Sequence, residues 1–163
     1  MTAPAVAPYF FPMIGNKTIE RIQASGFRSV WAVTGGGIAA VHAMLVHPGA
    51  SRFVLDVRIP YSAEALEKFL GDKPVSACSE AAARLMAAKA LESGTLGVAC
   101  TAALQTNRAR KGADRAYICI QSLEKTVCKR IDLEPGTRAE QDTTLSEILL
   151  TLLADFVGEH DER

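Results

Sequence analysis

Val30-Trp31-Ala32-Val33-Thr34-Gly35-Gly36-Gly37-Ile38-Ala39-Ala40 sets the architecture of this chain. An apolar, β-prone run from Val30 to Val33 meets three glycines, and a small-residue segment of helical character follows at once over residues 38–46. Strand, glycine turn and helix aim backbone N–H groups of a helix start at one spot, and glycines let a phosphate or carboxylate come close to that backbone. The same residues also serve a plain strand-to-helix turn that needs unusual φ angles.

The flanking sequence repeats this alternation. Asn16 is placed to cap a helix over residues 17–25, which Gly26 ends. Residues 28–33 read as a first strand, apolar nearly throughout, as in a strand covered on both faces. His47-Pro48-Gly49 closes the helix over 38–46, and residues 51–59 alternate as a second strand before Pro60. Ser62 is expected to cap a helix over 63–70 that Gly71 stops. Ser76 is expected to open an alanine-rich helix to Glu92, whose small side chains suit close packing on a sheet. Residues 96–101 form a third strand, 105–112 a polar loop, and 115–122 with 126–133 two strands joined near Leu123-Glu124-Lys125. Thr137 and Glu140 form a capping box after Pro135-Gly136. Leu145, Ile148, Leu149, Leu152, Leu153, Phe156 and Val157 then mark one buried helix face. The expected fold is α/β: a single three-layer α/β/α domain with a mixed sheet of about five strands. Residues 1–15 are expected to be an N-terminal arm and residues 16–163 the α/β domain.

Composition narrows the function classes. The chain has 163 residues, 48% of them apolar, enough for one domain with a substantial core. Its 18 basic and 18 acidic residues cancel, so nothing steers it to nucleic acid or an anionic membrane. The basic clusters at 108–111 and Lys129-Arg130 read as solvated loop or turn. Cys78, Cys100, Cys119 and Cys128 show no Cys-x-x-Cys pair; three of them lie in apolar surroundings, so they read as buried small residues of a reducing compartment. His42 and His47 point to different helix faces, so no metal site and no cofactor are expected. Residues 1–15 carry no Lys or Arg and are broken by Pro4, Pro8 and Pro12, which is neither a signal peptide nor a membrane span. With Tyr9, Phe10, Phe11 and Met13, this segment suggests a homo-oligomer contact, and a cytoplasmic protein without membrane attachment is expected.

In open α/β sheets, ligands sit beyond the carboxyl ends of the parallel strands. A site there would hold Thr34, the amides of Gly35, Gly36 and Gly37, Thr101 at the end of the third strand, and Tyr61 just past the second. Ordinary capping or turn bonding is the structural alternative for each hydroxyl.

Thr34-Gly35-Gly36, Pro48-Gly49-Ala50-Ser51, Tyr61-Ser62 with Glu64-Ala65, Leu70-Gly71, Gly97-Val98 with Thr101, and Gly136-Thr137-Arg138 occur in that order. Together they resemble the C-terminal domain of the CinA (competence/damage-inducible) family, over roughly residues 17–158. The resemblance implies a relation to nicotinamide mononucleotide deamidases, amidohydrolases that use a serine and a lysine. Where active members read Ala-Glu-Ser-Cys-Thr-Gly-Gly, this chain has Ala32 at the serine position. Leu66 aligns with the family's lysine, and Thr101-Ala102-Ala103-Leu104-Gln105-Thr106 replaces its glycine-rich segment. Alanine and leucine supply neither nucleophile nor base, so deamidation is expected to be impaired. What the resemblance leaves is the binding part: Thr34, Gly35 and Gly36 at a phosphate-side turn, Tyr61 and Thr101 as walls, and Arg138 in the final helix.

Three functions follow as expectations. The first is a CinA-like domain that binds a pyridine nucleotide or another phosphorylated small molecule. The second is a C–N amide hydrolase that recruited another nucleophile, such as Thr34, Tyr61 or Cys100. The third is a non-catalytic oligomeric or scaffold domain.

Overall fold

A computed structural model describes residues 15–106 and 113–161. The expected arm, apart from Gly15, and the basic cluster at 108–111 lie outside the described residues. Five strands form one sheet in the order β2-β1-β3-β4-β5, where β1 is Ser29–Thr34, β2 Val54–Arg58, β3 Leu96–Ala103, β4 Arg115–Gln121 and β5 Thr126–Asp132. β1 runs parallel to β2 and β3, whereas β4 and β5 add as antiparallel strands. The sheet is therefore mixed, as the two kinds of connection in the sequence require.

The pleat of β1 divides the core in two. Trp31 and Val33 face the main apolar cluster beneath α1 (Asn16–Gln23), α2 (Ile38–Val46) and α5 (Arg138–Asp161). Ala32 faces a smaller cluster under α3 (Ala63–Leu70) and α4 (Glu80–Leu91). This is the three-layer α/β/α arrangement. Along α5, Leu145, Leu149, Leu153, Phe156 and Val157 are buried, following the expected apolar rhythm. The capping box closes in both directions: the Glu140 amide donates to Thr137 Oγ1 at 3.1 Å, and the Thr137 amide to Glu140 Oε1 at 3.0 Å. α4 lies close on β3 because a Cβ at Gly97 would run into the Ala87 carbonyl.

Several local expectations are corrected. Gly15, not Asn16, is the N-cap of α1, and Asn16 is its first residue. The second strand is shorter than residues 51–59, because Gly49, at φ 98°, starts a 3₁₀ turn over Ala50–Arg52. α4 starts at Glu80 and not near Ser76. Ser79 is the better cap: its Oγ accepts from the Ala82 amide at 3.1 Å while donating to the Ser76 carbonyl at 2.8 Å. β3 continues to Ala103, held by pairing of Ala103 with Arg115.

The reading of all four cysteines as reduced is also corrected. Cys119 and Cys128 form a disulfide across β4 and β5. The hairpin register places these residues directly opposite each other, with Cα atoms 4.1 Å apart. Cys78 and Cys100 are free thiols. Among the described residues, no helix is long and apolar enough to cross a membrane.

Candidate functional site

The glycine turn is built by close approach and by borrowed capping. Gly35 has φ 78°, and a Cβ there would collide with the Ala102 carbonyl at the end of β3. Gly37, at φ 91°, is the N-cap of α2 and has no side chain to satisfy the helix amides. Asp142 of α5 does so instead. Its Oδ1 accepts from the Gly37 amide at 2.6 Å and its Oδ2 from the Ala39 amide at 3.0 Å. A carboxylate thus already occupies the electropositive start of α2.

One turn earlier on α5, Arg138 reaches over the same glycines. Its Nη2 donates to the Gly35 carbonyl at 2.9 Å and to the Tyr61 hydroxyl at 3.4 Å, and its Nη1 donates to the Gln105 carbonyl at 3.3 Å. Three of its five N–H groups are used in this way. No carboxylate lies within ion-pair distance of Arg138 among the described residues, and Asp142, the acidic residue of the same cleft, is engaged by the Gly37 and Ala39 amides. Beside it lies a cleft of about 410 Å³ lined by Gly35, Gly36, Ile38, Tyr61, Leu104, Arg138, Ala139 and Asp142. A second recess of about 500 Å³ shares Tyr61 and Arg138 and adds Gln105 and Thr106. Tyr61 is 68% exposed, an aromatic face presented to whatever enters.

Of the residues expected at a site, Gly35, Gly36, Tyr61 and Arg138 come together on the cleft. Thr34 and Thr101 are paired neighbours on β1 and β3 but are buried, and neither lines it. The Thr101 hydroxyl is committed to the Ala77 carbonyl at 2.6 Å. Gly37 lies behind the cleft wall with its amide held by Asp142. The expectation that all three glycine amides and Thr101 converge on one cavity is corrected accordingly. Asp142 is not among the residues expected from the sequence, where its position is the one pointer to it. It stands four residues after Arg138, on the same helix face.

The nucleophile candidates divide by burial. Cys100 is fully buried, and burial, with the negative charge of Asp142 and then Cys78 adding to it, pushes its thiol far up, so it is no thiolate at neutral pH. Thr34 is buried as well. Ala32 and Leu66 belong to one sealed apolar cluster with Ala83, Met86, Ala87, Ala99 and Cys119. That cluster offers neither nucleophile nor base.

Solved structures with this backbone arrangement can now be placed beside it. A competence-damaged protein (CinA) superfamily protein from Enterobacter cloacae superposes with a TM-score of 0.76 at 18% identity, over 87% of this chain and 89% of its own. The competence/damage inducible protein CihA from Agrobacterium tumefaciens gives 0.76 at 19% identity, over 88% and 96%. A CinA superfamily protein from Escherichia coli gives 0.69 at 16% identity, over 91% and 95%. This chain has the CinA-superfamily fold. No protein-family model and no curated protein sequence matches it. The shared fold extends over nearly the full length of both partners in each superposition.

Proposed function

We propose that this CinA-fold chain binds a small organic phosphate of the pyridine-nucleotide class and lacks serine–lysine amidohydrolase chemistry. The observation that carries this reading is Arg138, a cation with no carboxylate partner among the described residues, held against the glycine turn beside an exposed tyrosine. The anionic group of the ligand pairs with the free N–H groups of Arg138, and its ring lies against Tyr61, Ile38 and Leu104. The amides of α2 contribute little, because Asp142 holds those of Gly37 and Ala39. Hydrolysis is disfavoured by the same residues. The cleft lining contains neither lysine nor histidine, and both oxygens of its carboxylate, Asp142, already accept the Gly37 and Ala39 amides.

A thermal-shift titration with nicotinamide mononucleotide tests this, since a ligand that binds only the native state raises its melting temperature. Stabilisation lost in Arg138→Ala supports the reading, and an unchanged shift in that variant refutes it.

Homo-oligomerisation is part of the same proposal. It rests on the apolar sequence of residues 1–15 and on the open edge strand β2, where Leu55 stays largely exposed. A sedimentation mass of one chain refutes it.

A further inference from the structure

A second cavity, larger than the cleft at Arg138, lies elsewhere on the molecule. It is a groove of about 600 Å³ on the other side of the sheet, between α3, α4 and the end of β2. Its floor is apolar: Val30 of β1, Ala65 and Phe69 of α3, and Ala90 of α4. Three cations from three different elements line it, Arg58 from β2, Lys68 from α3 and Lys89 from α4. Glu92 is the acidic residue among them. Arg58 pairs with Asp56 at 2.6 Å and Lys89 with Glu92 at 3.3 Å, both well exposed to solvent, where such pairs are worth little. Lys68 has no carboxylate partner among the described residues. The edge strand turns Asp56 and Arg58 towards this face, in register with Val30 and Ala32.

We propose that this groove is a second ligand site, for a small organic anion that carries its phosphate, sulfonate or carboxylate on an apolar ring. The ring is desolvated against Val30, Phe69 and Ala90, and the anionic group meets Lys68 and Lys89 at the rim. The volume falls within the range of small-molecule sites, about 300–1,000 Å³. Lysine ammonium groups act as point charges and accept any of the three anionic groups, so ring size and charge, not a particular acid, decide what fits. The site is independent of the proposed function at Arg138.

The test uses 1-naphthyl phosphate as probe and the full chain carrying Arg138→Ala, so that the other cleft is silenced. Calorimetric titration is expected to give saturable binding that weakens at least tenfold, about 1.4 kcal/mol, when Lys68→Ala and Lys89→Ala are added. Ala65→Phe, which fills the floor at a half-buried position, is expected to abolish it. Amide chemical-shift changes in the unsubstituted chain should appear at Val30, Phe69 and Ala90 and report the location without any substitution. Absence of saturation, affinity unchanged by removing both lysines, equal affinity for uncharged 1-naphthol, or shifts confined to Gly35 and Gly36 would each overturn the proposal.

Discussion

Asp142 caps a helix that is not its own: from α5 its carboxylate accepts the amides of Gly37 and Ala39 at the start of α2. The site that a triple glycine prepares for an external anion is filled from within the chain. Replacing Asp142 by alanine should therefore do two things. Stability should fall by about 1–2 kcal/mol, the usual cost of a lost N-terminal cap. Inorganic phosphate should then stabilise Asp142→Ala more than it stabilises the parent, because the vacated amides are open to an anion. Melting temperatures across a phosphate series check both, and equal phosphate responses in the two proteins would contradict the capping role.

Leu66→Lys would restore the residue type of active CinA-family members, but here it places an ammonium in the apolar cluster around Ala32 and Met86. An unpaired buried charge is expensive, so a loss of at least about 2 kcal/mol is expected. The urea midpoint measures it. A variant as stable as the parent would show that this pocket is polar or open.

The disulfide between Cys119 and Cys128 predicts two titratable thiols, Cys78 and Cys100, in the denatured but unreduced protein and four after reduction. Losing a crosslink of this kind typically costs about 2–4 kcal/mol, so reduction should lower the melting temperature. Four thiols without reductant would refute the bond.

Hydrogen bonds from the Thr137 backbone amide, and then the Thr137 side chain, hold the Glu140 carboxyl below the usual glutamate range. A carboxyl depressed in the folded state contributes stability that is complete above its unfolded pKa and is lost as pH falls through the folded value. Glu140→Gln, which removes the titrating carboxyl itself, should flatten the acid limb of the stability profile below the ordinary glutamate range. An unaltered limb in that variant would remove the capping box from the acid response.

Much of the fold was legible because the signals were local. The helix over 38–46 was bounded by glycine and proline, Ser62 and Gly71 bracketed α3, and the capping box fixed the start of α5. The errors came where two local signals competed, as with Ser76 against Ser79, or where a 3₁₀ turn after Gly49 consumed residues that alternate like a strand. The cysteine pairing was present in the hairpin, since Cys119 and Cys128 are symmetric about Leu123 and Glu124. Cys-x-x-Cys spacing does not reveal such a pair, because its partners meet through hairpin register. Of the residues lining the candidate cleft, Gly35, Gly36, Tyr61 and Arg138 stand in motifs that the sequence singles out. Asp142 is marked only by standing four residues after Arg138 on one helix face, since its capping of a helix about a hundred residues away leaves no trace of that role in local spacing.

Binding without turnover is tested most directly by one calorimetric titration with nicotinamide mononucleotide, continued long enough to record both binding heat and sustained reaction heat. A saturable isotherm that returns to baseline after each injection, and vanishes in Arg138→Ala, is the expected result. Sustained heat with release of ammonia, or an isotherm unchanged in Arg138→Ala, would contradict it.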